Sequence, residues 1–191
     1  MDKKSVIARA ALQTFQEQGI EKTKISDIVK RAGVAQGTYY LYFPSKLAVM
    51  PAIAELMVEK LLDSVQDTVQ EKAPLSKKLE QLVQAVFHIT DEYHEVQALI
   101  YAGLASTEHI KEWERVYEPF YDWVRSLLQT AKENNEIRNN IDPHAASKLV
   151  IALVESAAEQ IYLYDTTGID QSKQQERAVL DFLQHALGVT S

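Results

Sequence analysis

Thr23-Lys-Ile-Ser-Asp-Ile-Val-Lys-Arg-Ala-Gly-Val-Ala-Gln-Gly-Thr-Tyr-Tyr-Leu-Tyr-Phe-Pro-Ser-Lys46 is the stretch that decides the fold. Its pattern predicts two short helices joined by a tight turn. Ser26 is a good N-cap residue, and Ile28, Val29 and Ala32 supply an apolar face behind it. Gly33 falls where a helix needs a left-handed stop, and Val34 gives the turn an apolar plug. A second helix is expected from Ala35 to Tyr42. Pro44 cannot continue it, and Ser45 can cap the next helix. Helix, glycine turn and helix at this spacing form a helix-turn-helix, whose second helix enters the major groove of DNA.

The second helix carries groups suited to that groove. The Gln36 amide can read an adenine edge bidentately. Gly37 has no side chain, so the backbone can come close to a duplex. Thr38, Tyr39, Tyr40 and Tyr42 bring hydroxyls for phosphates or base edges, and Lys46 follows as a phosphate cation. On the 3.6-residue period Tyr39 shares a face with Phe43, so packing into the core competes with DNA contact at that position.

With Phe15 and Gly19 before it, the run Thr23, Ile25, Asp27-Ile-Val, Ala32-Gly-Val, Gly37-Thr-Tyr-Tyr and Tyr42-Phe-Pro-Ser-Lys46 resembles the DNA-binding domain of the TetR family of transcriptional regulators. The likeness covers residues 5 to 50 or so. It implies that Gln36, Gly37, Thr38 and Tyr40 lie in the groove, and that Tyr42, Lys46, Lys24 and Ser26 hold phosphates. It further implies an all-helical, dimerising and ligand-binding remainder. Three positions depart from the family pattern. Ala35 stands where many members have Ser, Ile25 where some have Thr, and Leu41 where some carry a polar or aromatic residue.

Net charge hides this reading and its distribution restores it. The chain has 191 residues and a net charge of −7. Residues 1–46 hold eight Lys or Arg against four Asp or Glu, a balance of +4, so the remainder carries −11. A basic head on an acidic body directs attraction for DNA to one face. There is no cysteine, which excludes disulfides and thiolate metal sites. No apolar run reaches the roughly 18 residues of a spanning helix, and the N-terminus does not read as a secretory signal. A soluble, cytoplasmic protein without a membrane partner is expected.

Beyond the head the periodicity is helical throughout, giving an all-α chain of about nine helices with no strand pattern. The first helix covers residues 2–18. The fourth runs from Ser45 to Gln70 with Pro51 inside it, and a break follows at Glu71–Pro74. Further helices are expected over Leu75–Tyr93, Glu95–Ala105, from Ser106 to Asn134, from Asp142-Pro143 to Tyr164, and over Gln171–Leu187. Residues 1–46 read as the helix-turn-helix domain and residues 47–191 as a ligand-binding and dimerisation domain. With no flexible linker after Lys46, a shift of the fourth helix would reach the DNA head.

The helix ending at Tyr164 is apolar nearly all round, so it must be covered on more than one side. Leu149, Leu153, Ala157 and Ile161 on it, with Val179, Phe182, Leu183 and Ala186 on the last helix, read as a four-helix homodimer interface. A monomer that buries this helix internally is the alternative. A dimer suits a palindromic operator, whose half-sites lie about one turn (~34–36 Å) apart.

Residues 113–123 hold five of the sixteen aromatics. Trp113, Tyr117, Phe120 and Tyr121 share a face there, and Phe87, Tyr93 and Tyr101 come from helices expected beside it. These residues read either as core or as an aromatic pocket for a small hydrophobic or aromatic effector. Glu155 and Glu159 form either a solvated rim or the pocket's anchor for a cationic lipophilic ligand.

No phosphate loop or nucleophile elbow is present, and the polar cluster His88, Asp91, Glu92, His94 and Glu95 reads as a helix junction more readily than as a metal site. No cofactor and no enzymatic activity are expected. The sequence thus points to a homodimeric repressor released from its operator by an effector. The alternative is a constitutive DNA-binding or nucleoid-organising protein on the same scaffold.

Overall fold

The computed structural model describes residues 2–105, 110–164 and 169–189, and the side chains among them except those at 99, 101–113, 169 and 170. Among the described residues there are eight α-helices and no strand. They are α1 (Lys3–Gln18), α2 (Ile25–Ala32), α3 (Gln36–Tyr42), α4 (Met50–Thr68), α5 (Leu75–Ala105), α6 (Ile110–Glu133), α7 (Pro143–Glu159) and α8 (Ile169–Leu187). A 3-10 turn, Leu47–Val49, leads into α4, and a π-helical turn, Gln160–Tyr164, extends α7. Among the described residues no single helix is long and apolar enough to cross a membrane.

The chain forms two compact units. The first comprises residues 1–59 and 95–116, the second residues 60–94 and 117–191. The anticipated boundary at residue 46 therefore falls inside the first unit, which also takes in the 3-10 turn and the start of α4.

In the first unit α1 packs on α2, and α2 on α3. The buried set is Ile7, Ala11, Phe15, Ile28, Tyr39, Phe43, Val49, Met50 and Ile53. Its helix ends follow local chemistry. Asp2 caps α1 by accepting from the Lys4 N–H at 3.3 Å. The α2 cap is not Ser26, which lies one residue inside the helix. Lys24 takes the N-cap position, and its N–H donates to the Asp27 carboxylate at 2.9 Å. A carboxylate three residues on satisfies a donor that the Ser26 hydroxyl cannot reach from inside the helix. Gly33 adopts φ 65° and ψ 32°, the left-handed stop expected of it. Pro51 stands in the first turn of α4, where a missing N–H costs little.

In the second unit the core includes Val65, Leu79, Leu82, Val86, Phe87, Phe120, Val124, Leu128, Val150, Val154 and Ala158. α7 packs on α8 and starts as anticipated: Asp142 accepts from the His144 and Ala145 N–H groups at 3.2 and 3.3 Å, with Pro143 as the first helical residue. The two helices anticipated around Tyr93 meet there: α5 is kinked at Tyr93, whose φ −119° and ψ 16° are not helical, so its two segments are separate helices end to end. α6 continues through Pro119. The anticipated helix start at Ser106–Glu108 lies outside the described residues.

Candidate nucleic-acid interface and effector region

The recognition helix is rooted by two aromatics. Tyr39 is fully buried, its ring 5.5 Å from Phe43, and its hydroxyl donates to the carbonyl of Ser45 at 3.1 Å, with that of Lys46 at 3.3 Å. Burial, with Tyr40 beside it, pushes the Tyr39 hydroxyl up to about 12, so it is a fixed donor. Tyr39 is therefore corrected from a DNA contact to the anchor of α3. Its hydroxyl is committed to the chain that turns into the 3-10 segment.

Lys46, expected at a phosphate, is engaged within the chain. Its ammonium donates to the carbonyls of Ile20 at 2.7 Å and Thr23 at 3.1 Å. The cation closes the turn between α1 and α2 against the segment after α3. Two carbonyls at these distances compete directly with any phosphate for its three protons.

What remains on the outer face is a compact group. Gln36 and Gly37 are exposed and Thr38 is partly so. Tyr40 is 49%, Leu41 82% and Tyr42 40% exposed. Lys24 and Ser26, at the start of α2, are also exposed. A Cβ added to Gly37 would meet nothing within 4 Å. Glycine in a helix costs roughly 0.5–1 kcal/mol against alanine, and packing within the chain does not require it here.

The effector residues were anticipated as one aromatic set, and the structure divides them. Phe87, Tyr117 and Phe120 are buried. Phe87 meets Tyr162 edge-on at 6.3 Å. Tyr93 stacks under the Lys60 ammonium at 5.1 Å, and Tyr121 lies 5.8 Å from Tyr117 and under the Lys148 ammonium at 5.0 Å. The side chains of Tyr101 and Trp113 lie outside the described residues. Two grooves formed by described residues are lined by others. One, about 250 Å³, lies between α5 and α8 and includes Glu80, Lys173 and Arg177. The other, about 490 Å³, includes Arg125, Asp142 and His144.

Sequence reasoning named Glu155 without finding its partner. The Tyr117 hydroxyl donates to Glu155 Oε1 at 2.9 Å, across 38 residues of sequence. Burial, with Glu159 adding a like charge, raises the Glu155 carboxyl to about 8 against the pull of that hydrogen bond. The group is thus predominantly neutral at pH 7, which weakens its use as an anchor for a cation. Glu159 is partly buried. His88 and Glu92 pair at 3.9 Å, and among the described residues no three metal-ligating groups gather at one point.

The residues named for a dimer also divide. Leu149 is 70% and Phe182 62% exposed, Ala186 is exposed, and Leu153 and Ile161 are partly so. Ala157, Val179 and Leu183 are buried within the chain and are corrected from interface to core. Apolar character at helical spacing marks a covered position. It does not say which neighbour covers it.

A short helix rooted by buried aromatics, with an amide, a bare glycine and two tyrosines facing out, defines a helix-turn-helix DNA-binding protein. Residues 7–53 match the family described as bacterial regulatory proteins, tetR family, and residues 79–187 match the tetracyclin repressor-like C-terminal domain. An uncharacterized HTH-type transcriptional regulator, YvdT of Bacillus subtilis (strain 168), is 36% identical over 95% of this chain and 93% of that protein. The chain belongs to the TetR family and is a DNA-binding transcriptional regulator.

Two solved structures share its fold. The fatty acid degradation regulator FadR from Bacillus halodurans superposes with a TM-score of 0.74 at 24% identity, covering 96% of this chain and 95% of that one. The transcriptional regulator FadR from Bacillus subtilis, solved in complex with stearoyl-CoA, gives a TM-score of 0.73 at 20% identity, covering 93% and 96%.

Proposed function

We propose that the chain is a homodimeric repressor, released from a palindromic operator when a small lipophilic effector binds the second unit. The observation that carries the DNA half is the face of α3 on which Gln36, Gly37, Tyr40 and Tyr42 are exposed, the two tyrosine rings resting against Tyr39 and Phe43, which hold the helix. For the dimer, support comes from Leu149 and Phe182, two large apolar side chains left exposed on adjoining helices. Leaving both in water costs free energy that a second copy can recover.

The effector reading rests on the Tyr117, Tyr121, Glu155 and Glu159 group and on the stearoyl-CoA held by one protein of this fold. A carboxyl that is neutral at pH 7 favours an uncharged or hydrogen-bonding ligand group over a quaternary cation. The release mechanism is a population shift: the effector favours an arrangement in which the two recognition helices no longer match the half-site spacing. α4 follows the recognition helix most directly and, like α6, runs unbroken from the first unit into the second; it is the element assigned to transmit the shift.

The test is displacement of bound operator duplex by long-chain acyl thioesters, neutral aromatics and quaternary ammonium compounds at equal concentrations. Release by a lipophilic neutral or thioester compound supports the proposal. Release by none of them would mean a constitutive DNA binder, and release by cations alone would contradict the role given to Glu155.

A further inference from the structure

Leu41 is the most exposed of the large hydrophobic side chains described in the first unit, at 82%, yet it lies within the helix presented to DNA. Nothing in the fold explains an aliphatic side chain there. Its neighbour Tyr40 is 49% exposed and can bury its ring against a duplex while its hydroxyl stays bonded. Leu41 has no polar atom, so a phosphate or a base heteroatom gains nothing from it. One turn earlier on the same stripe stands Gly37, where the space a Cβ would enter is empty. Residues four apart on a helix are neighbours on its surface. The stripe therefore pairs a bare backbone with an aliphatic knob.

We propose that Leu41 reads a thymine, with the C5-methyl of that base lodged between the Leu41 side chain and the backbone at Gly37. The inference rests on the operator-binding reading of α3. In the major groove the thymine methyl is the one apolar feature a base pair presents, and apolar side chains recognise it. The Gly37 notch lets the helix approach closely enough for contact, and Leu41 excludes water from the methyl. A cytosine at that position has a hydrogen in place of the methyl and an amino donor in place of the C4 carbonyl, which leaves the leucine without its apolar partner. Leu41 thus adds a second base preference to the one expressed by Gln36, about one step along the groove.

The experiment uses the full-length protein and a duplex enriched from random DNA. Each thymine in a half-site is replaced singly by uracil, which removes the methyl and nothing else. Affinity is then measured for the wild type and for Leu41→Ala. The expected result is one position per half-site at which uracil weakens wild-type binding by about 3–10-fold, with no such penalty in Leu41→Ala. Equal binding of every uracil duplex by the wild type would overturn the inference. So would a uracil penalty that persists undiminished in Leu41→Ala, since the methyl would then be read by another group. Uniform weakening of all duplexes by Leu41→Ala would assign the side chain to the sugar–phosphate backbone and also overturn it. A wild type that enriches no duplex at all sinks the operator reading and this inference with it. That failure is distinct, because it appears before any uracil is introduced.

Discussion

Two side chains carry charge chemistry that their positions in the sequence do not reveal. Lys46 donates to the carbonyls of Ile20 and Thr23, so Lys46→Ala should act on folding before it acts on DNA. Loss of a cation bonded to two carbonyls is worth roughly 1–3 kcal/mol. The thermal midpoint should fall, while the slope of log affinity against log salt stays that of the wild type. A slope reduced by about one, with an unchanged midpoint, would return Lys46 to the phosphates. Glu155 gives a pH signature. Unfolded, its carboxyl titrates at its ordinary value of 4.5; folded, burial raises it to about 8. As pH rises between these values the unfolded chain gives up its proton first, so stability falls through that window and levels off above it. Glu155→Gln mimics the protonated form and can still accept from Tyr117. The variant should match the wild type near pH 4.5 and exceed it by a margin that grows up to pH 8. A difference that does not change with pH would show the carboxyl to be solvated.

At the scale of the element, Gly37 and Gly33 look alike in sequence and differ in cause. Gly33 has φ 65° and is required by the turn. Gly37 is helical with open space beside it, so Gly37→Ala should stabilise the folded chain by up to about 1 kcal/mol while weakening operator binding about tenfold. A gain in both properties would remove the argument for close backbone approach. The local signals of helix start and stop were readable: Gly33, Pro44, Asp142-Pro143 and Gly188 all stand at helix ends. The Tyr39 and Phe43 pair was legible as a shared face, though not the fact that burial wins there. Features set by distant partners were not legible. Lys46 meets Ile20 across 26 residues, and Tyr117 meets Glu155 across 38. Helical periodicity names a buried face without naming its cover, which is why Val179 and Leu183 read the same as Phe182.

For the whole molecule, reading a palindrome needs two recognition helices held at a fixed separation, and hence a second copy. Leu149→Glu is a surface change in the single chain, with an expected effect on its folding within about 0.5 kcal/mol. It places a charge in the proposed interface. The variant should sediment as a monomer at micromolar concentration and lose more than about tenfold in operator affinity, because each half-site must then bind alone. A dimer that persists in this variant and in Phe182→Glu would move the interface elsewhere. The +4 balance of residues 1–46 against −11 in the remainder belongs to this scale too. It orients the approach to DNA and makes affinity salt-dependent without selecting sequence.

The central claim, a dimer reading a palindrome through α3, is tested most directly by selecting bound sequences from random duplex DNA. The expected result is an inverted repeat whose half-sites are centred about one helical turn (~34–36 Å), or a multiple of it, apart. Its affinity should fall steeply as salt rises. Enrichment of a single unrepeated site, or of no sequence at all, would contradict it.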